Sequence, residues 1–289
     1  MVTPLELLNA WIQRDCQGDV AWLKAQCDAL RGPETRTRTL YTAIGLAPRK
    51  LGKADCQITD ADRRAADAAI PGWDPTGYSV DMAARLVLIL TAYDGTEVFF
   101  ETFDTLWRTA DVGEQVVFCR GLPLYPDSAK FLWRATDGCR TNIKAVFEGI
   151  AHRNPYPAAH FDEVAFNQLC LKALFVGSSL HHIQNLDSRH NPALARMMTD
   201  YAFERWAASR NVSPELWRCV APFPDARCLE ALSKALKSED LLTRHAAALA
   251  CSGTESNGAQ HLLSEHPDLA EEVQSGRISW PQLASDFAS

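Results

Sequence analysis

Helix-start signals punctuate this sequence from one end to the other, and they constrain its fold more than any other feature. Thr3-Pro4-Leu5-Glu6 places a hydroxyl where it can cap, a proline where a first turn tolerates it, and a glutamate that can complete a capping box. Thr59 with Asp62, Ser79 ahead of a Val/Ala/Leu/Ile run, Asp111 with Glu114, Asn191-Pro192 and Ser213-Pro214-Glu215 repeat the pattern. Each offers an oxygen to the backbone N–H groups that a first helical turn leaves unpaired. Between them, GP at 32, PGWDPTG at 71, DGT at 94, GLPLYP at 121, RNPYP at 153 and PFPD at 222 break helices through glycine conformations or proline's missing donor. The connections are therefore expected to be short. Ser178 and Ser179, after Val176-Gly177, are expected to cap a short helix over LHHIQNL.

Apolar spacing agrees. Phe99, Phe103, Leu106 and Ala110 share one helical face, and Ile143, Val146, Phe147 and Ile150 share another. No segment alternates as a half-buried strand would. MAARLVLILTAY, from Met82, is too short to cross a bilayer, which needs roughly 20 apolar residues, and reads as a buried helix. After Ser213, SPELWRCVAPF, DARCLEALSKAL, SEDLLTRHAAALAC and SNGAQHLLSEH look like tightly joined short helices. The expected fold is all-α, an α/α superhelix of HEAT-like pairs with an irregular helical bundle as the alternative, in one domain over 1–289 whose residues 213–289 form a C-terminal set of stacked helices.

Composition narrows the function. A chain of 289 residues with 47% hydrophobic and 22% charged residues can build a substantial core. Its net charge of -7, without a Lys/Arg run, argues against a nucleic-acid partner, because phosphates would be repelled. Most of the nine cysteines, none in a C-x-x-C pair, read as small buried hydrophobes in a reducing cytoplasm rather than as disulfides or a zinc ribbon. The opening residues lack the basic and apolar regions of a secretory signal, so a cytoplasmic location is expected.

Nucleotide loops, H-E-x-x-H and G-x-S-x-G are missing. His152, His160, His181, His182 and His190 cluster, but no pair stands four residues apart, so neither a metal nor another cofactor is expected. The stretch from Arg140 to Gly177 sets polar groups into apolar helices. Lys172 stands between Cys170-Leu171 and Ala173-Leu174-Phe175-Val176, and helical stacking puts Glu163 over Asn167 and Gln168 over Lys172. Two readings compete. In one, Arg140, Asn142, His152, Asn167 and Lys172, with Arg189 ahead of the Asn191-Pro192 helix, line a cleft for a polar ligand. In the other, Lys172 snorkels and the asparagines tie down loop carbonyls. Asp187, Arg189, His190 and Asn191 crowd one turn where either an anion or Asp187 itself could meet the helix start. Arg108, Arg120 and Arg134 read as structural, as do Trp73, Met197, Met198, Tyr201 and Trp206.

The stretches GWDPTGYSVDMAARLVL, LWRTADVGEQ, LPLYP and NPALARMMTDYAFERWAA, with the opening residues, resemble the EboA domain family most densely from Arg140 to Ala208. The resemblance implies a part in making or moving a specialised metabolite, since such proteins sit in bacterial gene clusters beside a UbiA-type prenyltransferase and TIM-barrel and dehydroquinate-synthase-like proteins. It carries over no catalytic residue. The expectation is a non-catalytic binding or scaffold protein whose partners are pathway proteins or a small-molecule intermediate. The alternative is an enzyme working in a polar cleft of residues 140–191, with Lys172 or a histidine as acid or base.

Overall fold

The computed structural model describes residues 2–287. The chain is all-α, 69% helical, with eighteen α-helices among the described residues and no strand. By contact density it divides into two compact units, residues 1–161 and 162–289.

The first unit holds α1 (Pro4–Asp15), α2 (Val20–Leu30), α3 (Arg36–Leu51), α4 (Asp60–Ala69), α5 (Val80–Ala92), α6 (Glu97–Thr109), α7 (Val112–Arg120), α8 (Leu132–Gly138), α9 (Lys144–Ala151) and α10 (Tyr156–His160). The helix expected to be buried, α5, is its centre and packs on α1, α2, α3 and α7. A helix apolar on every side must be enclosed, and Leu86, Leu88 and Ile89 are fully so. Asp81 and Arg85 are enclosed with them. Arg85 donates to Ile44 O at 3.0 Å and faces Asp81 at 3.4 Å and Glu114 at 3.5 Å. At α4, the carboxylate of Asp62 takes hydrogen bonds from Trp11 and Arg14 of α1 and from the cap residue Thr59, so the acid that completes the capping box also fastens two helices.

Gly18 fits where no side chain can. Between α1 and α2, a Cβ there would lie 2.7 Å from Leu51 Cα and 2.9 Å from Leu51 C, and backbone cannot swing aside as a side chain does. Gly18→Ala is expected to lower stability by about 1–3 kcal/mol, the usual cost of overpacking. A denaturation midpoint equal to the parent's refutes this account.

The second unit holds α11 (Glu163–Phe175), α12 (Pro192–Ala207), α13 (Trp217–Val220), α14 (Ala226–Leu236), α15 (Leu241–Ser252), α16 (Asn257–Ser264), α17 (Pro267–Gln274) and α18 (Trp280–Phe287). Its centre is α15, which touches α13, α14, α16, α17 and α18. Small residues allow that crowding: Ala246, Ala247, Ala248 and Cys251 are fully enclosed. Contacts of α14 with α15, α15 with α16 and α16 with α17 are compatible with HEAT-like stacking.

Most start signals act as read. Thr3, Thr59, Asp111 and Asn191 accept from the N–H groups of Glu6, Asp62, Glu114 and Leu194. Ser79 precedes α5 but makes no cap bond, because its hydroxyl donates to Asp81 at 2.6 Å. Ser213 opens a 3₁₀ turn without capping it. Ile143 is 40% exposed rather than on the buried face of Val146, Phe147 and Ile150, because it precedes the first turn of α9.

The largest departure is residues 176–190, where the expected helix over LHHIQNL is replaced by turns and a 3₁₀ segment, Asp187–Arg189. The cause is Glu215. Its buried carboxylate accepts from Ser179 Oγ at 2.6 Å, Leu180 N at 2.8 Å and His181 N at 3.0 Å. Donors that would start a helix are held instead by a distant side chain, and Gly177 and Asn185 adopt positive φ to turn the chain.

Candidate functional site

The residues expected to form a polar cleft fall into both units: Arg140, Asn142 and His152 into the first, Asn167, Lys172 and Arg189 into the second. Arg140 and Asn142 are exposed, in the turn between α8 and α9, and His152 is half-buried just after α9. In α11, Asn167 is buried and Gln168 exposed, so the Glu163–Asn167 and Gln168–Lys172 rows diverge instead of forming one stripe. Adjacent residues differ by about 100° round a helix. Lys172 is half-buried with its Nζ 5.6 Å from the Phe175 ring centroid. Asn167 and Asn191 exchange hydrogen bonds of 3.1 and 2.9 Å, while Asn191 also caps α12. The guanidinium of Arg189 lies 4.7 Å from the centroid of Phe166. The two asparagines thus fasten α11 to the start of α12, and the arginine covers the ring beside them.

A cavity of about 440 Å³ opens within the second unit beside this turn. Asp187, His190 and Arg218 supply its polar wall, and Phe223, Leu249 and Trp280 much of its apolar one. Arg218 grips Asp187 with both arms, Nε to Oδ1 at 2.7 Å and Nη2 to Oδ2 at 2.6 Å, and its guanidinium lies 5.7 Å from the Trp280 ring centroid. A planar fork on a carboxylate is the strongest form of ion pair. Burial pushes the Asp187 carboxyl up, but the bonds and charge of Arg218, aided by the fields of His190 and His181, outweigh it and hold the carboxyl below its usual range.

His190 is different. Its side chain is 7% exposed, its Nε2 has no hydrogen-bond partner among the described residues, and Asp187 Oδ1 is 3.8 Å away, beyond hydrogen-bond reach. Burial lowers its pKa from the ordinary 6.5, against the opposing pull of Asp187. The fold favours neutral imidazole, so the unfolded chain binds the proton more readily. Stability is therefore complete above pH 6.5 and falls as pH drops through the lower, folded-state value. His190→Phe is expected to flatten the decline in unfolding free energy between about pH 7 and 5. An unchanged slope refutes the assignment.

The cavity's polar wall was only partly legible. Asp187 and His190 stand out as a crowded turn, whereas Arg218 lies 31 residues away inside a short helix and Trp280 further still, with no local signal joining them. Six of the nine cysteines are buried and Cys16, Cys27 and Cys139 partly so; burial pushes Cys56, Cys139, Cys219 and Cys251 each up to about 12, which keeps them as thiols at neutral pH. Among the described residues no group of three His, Cys, Asp or Glu side chains could hold a metal ion, and no helix is long and apolar enough to cross a membrane.

Fold and site together define an all-helical protein with a small-molecule-sized cavity, part ionic and part apolar, built beside a capped helix start. The chain belongs to the EboA family, whose model, described as metabolite traffic protein EboA, matches residues 4–221. The match takes in all of α1–α13, and with them Asp187, His190 and Arg218, and ends before Phe223, Leu249 and Trp280. No curated protein and no solved structure matches the chain.

Proposed function

We propose that the chain handles a metabolite without transforming it, holding a small-molecule intermediate in the second unit's cavity and passing it to pathway proteins in the cytoplasm. The observation that carries this reading is the cavity itself, where a locked Arg218–Asp187 pair, an enclosed imidazole and an indole surround about 440 Å³ in a member of a metabolite traffic family. The alternative remains an enzyme in a polar cleft of residues 140–191 with Lys172 or a histidine as acid or base; placed in this cavity it would need Asp187 to orient His190. Instead Arg218 occupies the carboxylate, and the 3.8 Å gap leaves the imidazole unaligned. Specialised-metabolite biosynthesis or transport is the setting proposed for this role. The chain is proposed to work as one domain over 1–289, in which the HEAT-like helices of 213–289 complete the binding wall; a single cooperative thermal transition is the expected signature.

The test is affinity capture of the full chain from its native host, with mass spectrometry of small molecules and proteins that remain bound. A defined small molecule retained by the parent and lost from Arg218→Ala is the expected result. Conversion of that molecule by the purified chain alone would establish the enzyme reading instead.

Arg140, Asn142 and His152 in the first unit, and Asn167, Lys172 and Arg189 in the second, are proposed separately as ligand-binding residues, and Lys172 separates that idea from a packing role. Lys172→Met is expected to leave the melting temperature unchanged or slightly higher, since a half-buried ammonium is replaced by an apolar chain of similar length. Loss of pathway output with folding intact supports a binding role for Lys172, and retained output removes it.

A further inference from the structure

We infer that another cavity of the second unit, about 550 Å³ where the ends of α12 and α14 meet the start of α15, binds the phosphate group of a small phosphate ester. It shares no described lining residue with the cavity beside Asp187, and its case does not rest on the role proposed for that one.

Unpaired positive charge selects the ligand. Arg210, Lys234 and Lys237 line the cavity against a single carboxylate, Asp240, and none of the three cations is ion-paired among the described residues. All three are exposed, so an entering ligand can reach them. The lone acid is partly committed: its Oδ2 accepts from Thr243 N at 2.9 Å and from the Thr243 hydroxyl in capping α15. Lys234 is positioned without being neutralised. Its Nζ lies 4.1 Å from the Trp206 ring centroid, and an aromatic face attracts an ammonium while leaving its charge intact. Lys237 donates to the uncharged hydroxyl of Ser233 at 3.3 Å. Arg210 arrives from the end of α12, where Ser209 at φ 55° turns the chain and Arg210 N donates to Arg205 O at 2.9 Å. Three such groups facing one acid suit a doubly charged anion. A phosphate monoester carries about −1.5 to −2 at pH 7 on three acceptor oxygens, whereas a carboxylate brings one charge and an ammonium would be repelled. In a chain of net charge -7 this is a local reversal of sign. Val212, Pro214 and Leu242 give the cavity an apolar side for the body of the ester. In the cavity beside Asp187, by contrast, Arg218 is already held through two short bonds.

The experiment titrates the full chain by calorimetry at about pH 7.5 with phenyl phosphate, inorganic phosphate, benzoate and benzylammonium. Phenyl phosphate is expected to bind about tenfold more tightly than benzoate, for its second charge, and about threefold more tightly than inorganic phosphate, for its apolar body. Benzylammonium is expected not to bind. The ranking is measured first in the unaltered protein, so it does not depend on a variant folding. Arg210→Gln and Lys234→Gln, checked by thermal melting, are then each expected to weaken phenyl phosphate about fivefold. Lys24→Gln, an equal change of charge at an exposed site in the first unit, should leave it within about twofold. Inorganic phosphate binding as tightly as phenyl phosphate overturns the ester assignment. Benzoate or benzylammonium binding as tightly, no measurable phosphate binding, or affinity that survives in the Arg210→Gln/Lys234→Gln double variant overturns the site, leaving these cations only the helix-end carbonyls. Affinity lost in Arg218→Gln but kept in the Arg210 and Lys234 variants places the anion in the other cavity and overturns the site as well.

Discussion

Arg85→Ala is expected to destabilise the protein by about 3–5 kcal/mol, the range for removing one partner from a buried ionic cluster. The side chains of Arg85, Asp81 and Glu114 are 6%, 9% and 14% exposed, so the change strands two carboxylates near the centre of the first unit and leaves Ile44 O without its donor. The loss reflects the uncompensated acids rather than the attraction of the pair. Replacing Arg85 and Asp81 together with Met and Leu is accordingly expected to recover part of it, because an apolar replacement is often neutral or stabilising while Glu114 and Ile44 O still lack the arginine. Chemical denaturation of both variants decides the matter: a single variant that loses under 1 kcal/mol, or a double variant worse than the single, sinks the explanation.

Glu215→Ala is the second large effect, expected at about 3–5 kcal/mol. Each buried donor left without an acceptor costs about 1–3 kcal/mol; Leu180 N loses its acceptor, Ser179 Oγ loses its bond to Glu215, and His181 N keeps only Ser179 Oγ at 3.1 Å. Glu215→Gln, with one amide oxygen kept and an NH₂ group turned toward donors, should fall between the alanine variant and the parent. Hydrogen exchange localises the damage: the amides of Leu180 and His181 should exchange much faster in the alanine variant, while those of α5 in the first unit stay unchanged. If water entering the gap satisfies the donors, stability will fall by less than about 1 kcal/mol and the proposed cause of the turn at 176–190 is wrong. Because Asp187 and His190 lie at the end of this segment, a weakened turn should also impair binding of any ligand the cavity holds.

Arg85 and Glu215 show how unevenly structure is written in the chain. Thr3, Thr59, Asp111 and Asn191 could be read as caps because a capping oxygen and the N–H it serves lie three residues apart, within one helical turn. The enclosed α5 could be read for the same reason, as unbroken apolar character over consecutive residues. Ser79 satisfies the same local pattern and yet gives its hydroxyl to Asp81, a choice made once Arg85 draws Asp81 inward.

The candidate site follows that division. Crowding of Asp187, Arg189, His190 and Asn191 was visible in sequence, whereas their separate fates were not: Asp187 to Arg218, Arg189 to the Phe166 ring, Asn191 to Asn167, and His190 to the cavity wall. Asn167 and Lys172 looked like members of one polar row, but Asn167 turned inward to hold the next helix.

Sequence alone determined that this chain would be all-α, where most of its helices begin, and that α5 would be enclosed. Those properties depend on neighbours within about one helical turn or on runs of apolar residues. Tertiary structure alone decided that Glu215 would cancel a helix more than thirty residues before it, that Arg218 would bind Asp187, and that an imidazole would be enclosed with an unbonded nitrogen. Such outcomes depend on which distant side chain first reaches a buried donor or charge, and the cost of leaving either unpaired exceeds any local preference for helix.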